Sequence, residues 1–285
     1  MKNRRSDMVD MHLHTTASDG ALSPTELVEK AYEKGIKVLS ITDHDTVDGL
    51  EEGRKRAREL GIEFINGIEI SCDWLGKEVH ILGYFINCDD EKFQSEIKAL
   101  RDIREKRNEK MLEKLEKNGI YITLEELQEE AKGDILSRSH MANIIMRKGY
   151  AYSKKEAFSR YLGQHGIAYV PKSNLTPDRA VRIIKENGGL VSLAHPKLIT
   201  RDRGQILKIV NGLKKEGLDA LEAYHGKFEI NDVKYYIELA KETGLLWTGG
   251  SDFHGNERDV IEIGDGEVPM YVYESLLIYY EGGRI

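Results

Sequence analysis

The sequence predicts an α/β fold: an irregular, closed or nearly closed barrel of about seven strands with an inserted helical subdomain. Three observations carry that expectation. Short β-like runs alternate with helical stretches from residue 8 onward, caps and glycine stops mark the helix boundaries, and residues 90 to 168 change to a charge-rich helical pattern. The 285 residues, 40% of them apolar, suffice for one large domain or one domain carrying an insert.

The first strand is Met8 to His14, in which apolar and polar residues alternate. A helix follows from about Pro24 to Lys34: Ser23 supplies the N-cap, Pro24 the first helical position, Glu26 the third, and Gly35 the stop. Lys37 to Thr42 is the second strand, and Val47 to Leu60 the second helix, ended by Gly61. Glu63 to Ser71 and Glu78 to Ile86 follow as strands. Only about six residues around Trp74-Leu75-Gly76-Lys77 separate them, whereas a parallel crossover needs a dozen or more, so this pair forms a hairpin or the strand bends. The later strands are Gly189 to Ala194, Ala220 to His225 and Leu245 to Gly249, with connecting helices near 177 to 187, 203 to 216 and 231 to 243.

Between the fourth and fifth strands, Ile97, Leu100, Ile103, Met111 and Leu115 recur at helical spacing, and Leu124 to Ala131, Met141 to Lys148 and Lys154 to Leu162 continue the signal. The chain therefore divides into a barrel of residues 1–89 and 169–285 and a helical insert, 90–168, expected to serve as a lid or substrate subdomain. The aromatic-rich stretch Met270 to Tyr280 reads as core or interface.

A formal charge of -7 argues against an extended basic surface for nucleic acid, leaving room for a local positive site that holds one phosphate or a strand end. Met1 to Asp7 is basic but is not followed by a signal-type apolar stretch, and no run approaches membrane-spanning length. Cys72 and Cys88 form neither a metal spacing nor a disulfide framework. A cytoplasmic protein is expected, with no membrane contact and no obligate protein partner.

In Val9-Asp10-Met11-His12-Leu13-His14 the period of two sends both imidazoles from one face, roughly 7 Å apart at the Cα atoms, which suits two ligands to one metal. Taken alone, a His-x-His is as readily a solvent-facing strand. Recurrence decides between the two. Lys37 to Thr42 runs into Asp43-His44-Asp45, Gly67-Ile68 precedes Glu69, Leu193-Ala194 precedes His195, and Thr248 to Ser251 precedes Asp252-Phe253-His254. In a barrel such strand ends converge on one face, where active sites lie.

These residues resemble the polymerase and histidinol phosphatase (PHP) superfamily of metal-dependent phosphoesterases. The matching pieces are His12-x-His14, Asp19-Gly20, Thr42-Asp43-His44-Asp45, Gly67-x-Glu69, the lone His80, Ala194-His195-Pro196 and Gly250-Ser251-Asp252-x-His254, with Ser137-Arg138-Ser139-His140 in the insert. The resemblance runs from the N-terminus to about residue 260 and implies a distorted (β/α)7 barrel. It also implies three divalent metal ions: one held by His12, His14, Asp252 and Glu69, a second by Glu69, His80 and His195, and a third by Asp19, His44 and His254. Asp19, standing where other branches have histidine, marks the branch. Imidazole and carboxylate ligands without thiolate suit Mn, Fe or Zn.

Three such ions, three carboxylates and a bridging hydroxide leave about +2 in the pocket, a field suited to a phosphate monoester dianion. Attack by metal-bound hydroxide, without a covalent phosphoenzyme, is the expected chemistry. Arg138 is the expected holder of a second phosphate, its alternative being an ion pair with the acidic helix around Glu125 to Glu130. His140 is a further substrate contact, and His225 the proton donor to the leaving oxygen or else a capping histidine. Asp43 or Asp45, and likewise Asp10, are expected to orient ligand imidazoles. The branch resembled acts on nucleoside 3',5'-bisphosphates and trims short RNA or oligonucleotides from the 5' end. The expected partner is thus a small phosphorylated nucleotide or a short RNA or DNA end. The alternatives are a phosphatase for another metabolite such as histidinol phosphate, and a non-catalytic PHP module, which lost ligands or an attached polymerase would mark.

Overall fold

The computed structural model describes residues 8–131, 133, 135–171, 175–255 and 260–282, so the basic stretch Met1 to Asp7 lies outside the described residues. The chain opens with β1 (Met8–Leu13), α1 (Pro24–Lys34), β2 (Ile36–Ile41) and α2 (Leu50–Leu60). α1 has the boundaries its caps predict: Ser23 Oγ accepts the Glu26 amide at 3.2 Å, Glu26 Oε2 accepts the Ser23 amide at 2.8 Å, and Gly35 turns out at φ 83. α2 starts later than expected, because Thr46 Oγ1 takes the Asp48 amide at 3.1 Å and holds the chain in a turn.

β3 (Glu63–Trp74) and β4 (Lys77–Tyr84) form a hairpin across Leu75-Gly76, both at positive φ (52 and 81), which is the backbone a tight two-residue turn demands. β4 is also antiparallel to β5 (Leu190–Leu193), so it runs against its two neighbours. β6 (Ala220–His225) and β7 (Leu246–Gly250) continue in parallel, and a short β8 (Val268–Pro269) adds to β1. The sheet order is β7-β6-β5-β4-β3-β2-β1-β8.

The barrel closes just past β7, where the Asp252 amide donates to His12 O (2.9 Å) and the His14 amide to Phe253 O (3.0 Å). Gly250 permits that approach. A Cβ there would fall 2.3 Å from His12 N and 2.4 Å from its Cβ, a clash that no side chain could relieve.

Between β4 and α7 (Pro177–Glu186) come α3 (Glu91–Lys117), α4 (Leu124–Ala131), α5 (Arg138–Arg147), α6 (Lys154–Ala157) and a π-helical turn, Phe158–Leu162. These helices bury a core of their own, including Met111, Leu115, Leu127, Met141, Ile144 and Leu162. α3 serves two cores, since Phe93, Ile97 and Leu100 in its first half pack with Ile184 and Val191 of the barrel. A rigid helix thus links insert and barrel.

Around the later strands lie α8 (Pro196–Ile199), α9 (Arg203–Lys214), α10 (Ile230–Thr243) and α11 (Met270–Gly282). α11 buries Val272 and Leu276 in one apolar cluster with Val9, Val38 and Tyr84, which accounts for the aromatic C-terminal stretch as barrel packing. Among the described residues, no helix is long and apolar enough to cross a membrane.

Candidate metal centre

The alternation of β1 sends Asp10, His12 and His14 to one side, and the His12 and His14 rings lie with centroids 5.2 Å apart, fully buried. Burial removes the solvent-facing alternative for this pair. Asp252 Oδ1 lies 3.4 Å from His12 Nε2 and 3.3 Å from His14 Nε2.

Glu69 is the hub. Its Oε1 is 3.4 Å from His12 Nε2, 2.9 Å from His80 Nδ1 and 3.1 Å from His195 Nε2, while its Oε2 is 3.3 Å from His14 Nε2 and 3.0 Å from His44 Nδ1. The strand-end expectation is corrected here: Glu69 sits in the middle of β3, and His80 in the middle of the reversed β4. Because β4 runs backwards, a mid-strand residue reaches the face that the parallel strands reach with their ends. Asp19 closes the other side, 3.8 Å from His44 Nε2 and 3.3 Å from His254 Nε2.

All nine residues singled out from the sequence fall into four overlapping groups whose nitrogen and oxygen atoms lie within 4.8 Å of one another. His12, His14 and Asp252 form one, and Asp19, His44 and His254 form another that also takes in His14. Glu69 splits its partners, joining His195 with His12 and His80 with His44. His80 and His195 are nonetheless neighbours, with ring centroids 5.0 Å apart.

The chemistry of the set fits metal ions. His12 Nε2, His14 Nε2, Asp19 Oδ1, Glu69 Oε2, His80 Nε2 and His195 Nδ1 are buried without a hydrogen-bond partner, and such groups are rarely left unmet in a folded protein. Burial pushes the Glu69 and Asp252 carboxyls up, yet the surrounding imidazoles, led by His44 and His80 for Glu69 and by His12 for Asp252, hold both well below the usual carboxylate range. Asp19 is held down in the same way by His254 and His44. Burial drives His44 down to about 3; for His14 the pull of Asp252 and Glu69 overcomes burial and raises it to about 10, although the two rings are only 4.6 Å apart. Metal cations would satisfy what these groups contest.

Three backbone positions in the site have positive φ without being glycine: Asp45 (53), His195 (26) and Asp252 (60). Such conformations persist where surrounding contacts impose them, and two of the three belong to the cluster.

The supporting contacts differ from expectation. Asp43 organises the loop that carries Asp19: its Oδ1 accepts the Thr15 amide (2.7 Å) and Ser18 Oγ (2.5 Å), and its Oδ2 accepts Thr15 Oγ1 (2.6 Å). Asp45 accepts the Ser71 amide at 2.9 Å and pairs with Arg104. Asp10 accepts the Ser251 and Gly264 amides, each at 2.8 Å, and so helps close the barrel. The carboxylate that orients an imidazole is Glu222, unnoticed in the sequence, whose Oε1 is 2.8 Å from His12 Nδ1 and whose Oε2 accepts the His195 amide at 2.6 Å. Its signal was a lone acid inside the apolar run Ala220 to Tyr224.

His225, the expected proton donor, stands beside Asp252. Its side chain is fully buried, Nδ1 accepts the Lys227 amide at 2.9 Å, and the proton therefore sits on Nε2, 3.3 Å from Asp252 Oδ2. Arg138 pairs with Glu78 rather than with the acidic helix, donates to Leu162 O at 3.4 Å, and stands over the Phe158 ring. His140 closes the capping box of α5, with Nδ1 accepting the Ser137 amide at 3.3 Å. A cavity of about 270 Å³ lies over His44, Glu69, His80 and His195, beside a second of about 340 Å³ lined by Arg107, Arg138, Phe158 and Tyr169. Glu78 and Leu198 line both.

A family model described as the PHP domain matches residues 10–242. A 5'-3' exoribonuclease of Haemophilus influenzae is 36% identical over 245 residues, with 86% of this chain and 89% of the relative covered. A 3',5'-nucleoside bisphosphate phosphatase of Chromobacterium violaceum is 30% identical over 260 residues, covering 91% of each. Among solved structures, a protein of Bifidobacterium adolescentis described as a metal-dependent phosphoesterase superposes with a TM-score of 0.83 at 26% identity, over 95% of this chain and 96% of that one.

Proposed function

The chain belongs to the PHP domain family and is a metal-dependent phosphoesterase; from that premise we propose that it hydrolyses phosphate monoesters of nucleotides, with nucleoside 3',5'-bisphosphates as substrates and short 5'-phosphorylated oligonucleotides as further ones. The observation that carries the reading is the gathering of imidazole and carboxylate atoms, several of them unpartnered, into four overlapping groups, next to a cavity flanked by guanidinium groups.

In this proposal His12, His14 and Asp252, then Glu69 with His80 and His195, and then Asp19 with His44 and His254 hold three divalent ions, Mn, Fe or Zn. When bound, such ions offset the charge of the phosphoryl oxygens and allow water to ionise near neutral pH. The protein's own part is positional. Glu222 keeps the His12 proton on Nδ1, so that Nε2 offers its lone pair inward; His225 braces Asp252; Asp43 holds the loop bearing Asp19. In the same proposal Arg138 and His140 contact the part of the substrate beyond the scissile bond, and the insert, which lines the neighbouring cavity with Arg138, Phe158 and Gln164, serves as a lid.

The test is a panel of esters: a nucleoside 3',5'-bisphosphate, a 5'-phosphorylated dinucleotide and histidinol phosphate, each assayed with Mn, Fe and Zn after removal of bound metal. Clear preference for the first two supports the nucleotide reading. Equal, weak turnover of all three overturns it.

A further inference from the structure

A third and larger cavity, of about 1030 Å³, is lined by one face of α3, by α4 and by Val47 and Asp48 before α2. None of its lining residues is a proposed metal ligand or lines the two cavities at the metal centre. Its charge is acidic. Of five lining carboxylates, Asp48 pairs with Arg101 at 2.7 Å, whereas Asp102, Glu105, Glu109 and Glu129 have no ion pair among the described residues, and Lys98 is the one further cation among the lining residues. Ile97, Leu124 and Leu136 add apolar surface between them.

Exposed acids on a helix are ordinarily met by water, and Asn108 is what sets this groove apart. It lines the cavity while only 1% exposed, and its Nδ2 donates to Leu136 O at 2.8 Å, a bond that fixes the amide and leaves Oδ1 as the buried atom without a partner. Buried acceptors are rarely left unmet in a folded protein, so this one calls for a donor from the cavity. The spacing of the acids decides what kind of donor. A metal ion needs several ligand atoms converging on one point, and among the described residues no such group includes Asp102, Glu105, Glu109 or Glu129. Asp102, Glu105 and Glu109 instead follow one stripe of α3 at intervals of three and four residues, about 4.5 and 6 Å along its axis. Ammonium groups joined by three and by four methylenes stand about 5 and 6 Å apart in an extended chain, from ordinary bond lengths and angles.

We propose that this groove binds an aliphatic polyamine, whose ammonium groups face Asp102, Glu105, Glu109 and Glu129, one of them donating to Asn108 Oδ1, while its methylenes lie on the apolar side chains. A compact single charge would meet only one of these acids; a chain of separated charges meets them together. The inference goes beyond the phosphoesterase reading and does not rest on it.

The experiment is calorimetry with spermidine, carried out in saturating manganese so that the carboxylates of the metal centre are not free to compete. Wild type should bind one equivalent saturably, and more weakly as salt is raised. Glu105→Gln with Glu109→Gln should weaken binding by about 2–30-fold, as expected for two exposed ion pairs, and Asn108→Leu by about 10–100-fold, the range for a hydrogen bond to a charged group. Glu91→Gln with Glu113→Gln, which removes two exposed acids of α3 outside the groove, should leave binding unchanged. No saturable binding to wild type, an equal loss in the two glutamate pairs, or full affinity in Asn108→Leu overturns the proposal. A thermal melt shows whether each variant folds; should Asn108→Leu fail to, the comparison of the two glutamate pairs decides. Ester hydrolysis is no part of the readout, so failure of the phosphoesterase reading leaves this test intact.

Discussion

Glu222 Oε1 stands 2.8 Å from His12 Nδ1, with both side chains fully buried and 210 residues apart in the chain. A carboxylate in that position fixes the imidazole tautomer and its rotation, and its second oxygen fixes the backbone of His195. Two candidate ligands, one on β1 and one at the start of α8, are thereby set by one residue of β6.

Glu222→Gln should therefore weaken metal binding without touching a proposed ligand. The amide cannot accept both the His12 N–H and the His195 N–H, because one of its two positions is now a donor. A loss of about 10–100-fold in apparent metal affinity is expected, read by activity against buffered free metal. Unchanged affinity would remove Glu222 from the site.

Stripping metal with a chelator should abolish hydrolysis and lower the melting temperature together. Asp19, Glu69, Asp252 and the imidazoles around them are buried, so ions that bind only the folded state stabilise it, by about 2.7 kcal/mol at 100 times Kd. Differential scanning fluorimetry before and after adding back Mn, Fe or Zn checks this. A melting temperature indifferent to metal would count against the centre.

Gly250→Ala should destabilise the fold by about 1–3 kcal/mol and impair metal binding, because the added Cβ meets backbone and Cβ of His12 at 2.3–2.4 Å, where neither strand can yield. Urea denaturation gives the first quantity and metal content the second. A stability equal to wild type would show that β7 can retreat from β1.

Glu78→Gln should lower KM for a nucleoside 3',5'-bisphosphate by about 2–5-fold, since it removes a partly exposed ion pair worth up to about 1 kcal/mol that competes for Arg138. Steady-state kinetics distinguish this from a rise in KM, which would make Glu78 a substrate contact.

Burial pushes the Cys88 thiol up to about 11, so the reactive thiolate is scarce at pH 8 and its share grows tenfold per pH unit until the pH nears that value. Iodoacetamide labelling of the native protein, followed by mass spectrometry, should be slow at pH 8 and accelerate steeply toward pH 10. Labelling at the rate of a free thiol at pH 8 would contradict the placement.

Much of the molecule was legible before folding. The α1 capping box, the Gly35 and Gly61 stops and the alternation of β1 are written within a few neighbouring residues, and each held its place. The short link around Leu75-Gly76 left only a hairpin or a bent strand, because chain length limits what a connection can do, and the hairpin is what forms. His12, His14, Asp19, His44, Glu69, His80, His195, Asp252 and His254 could be singled out because ligand-type residues are conspicuous against apolar runs.

What the sequence by itself determined was therefore the set of elements and the inventory of chemical groups, since helix caps, strand periodicity and residue type act over short stretches of chain. Only the tertiary structure decided the pairings. It turned β4 so that His80 meets Glu69, set Glu222 behind His12, gave Arg138 to Glu78 instead of to the acidic helix, and turned His225 toward Asp252. Arg107 is left facing a cavity for the same reason. Whether a buried charge finds a partner depends on distances between segments far apart in the chain, and no local pattern encodes those distances.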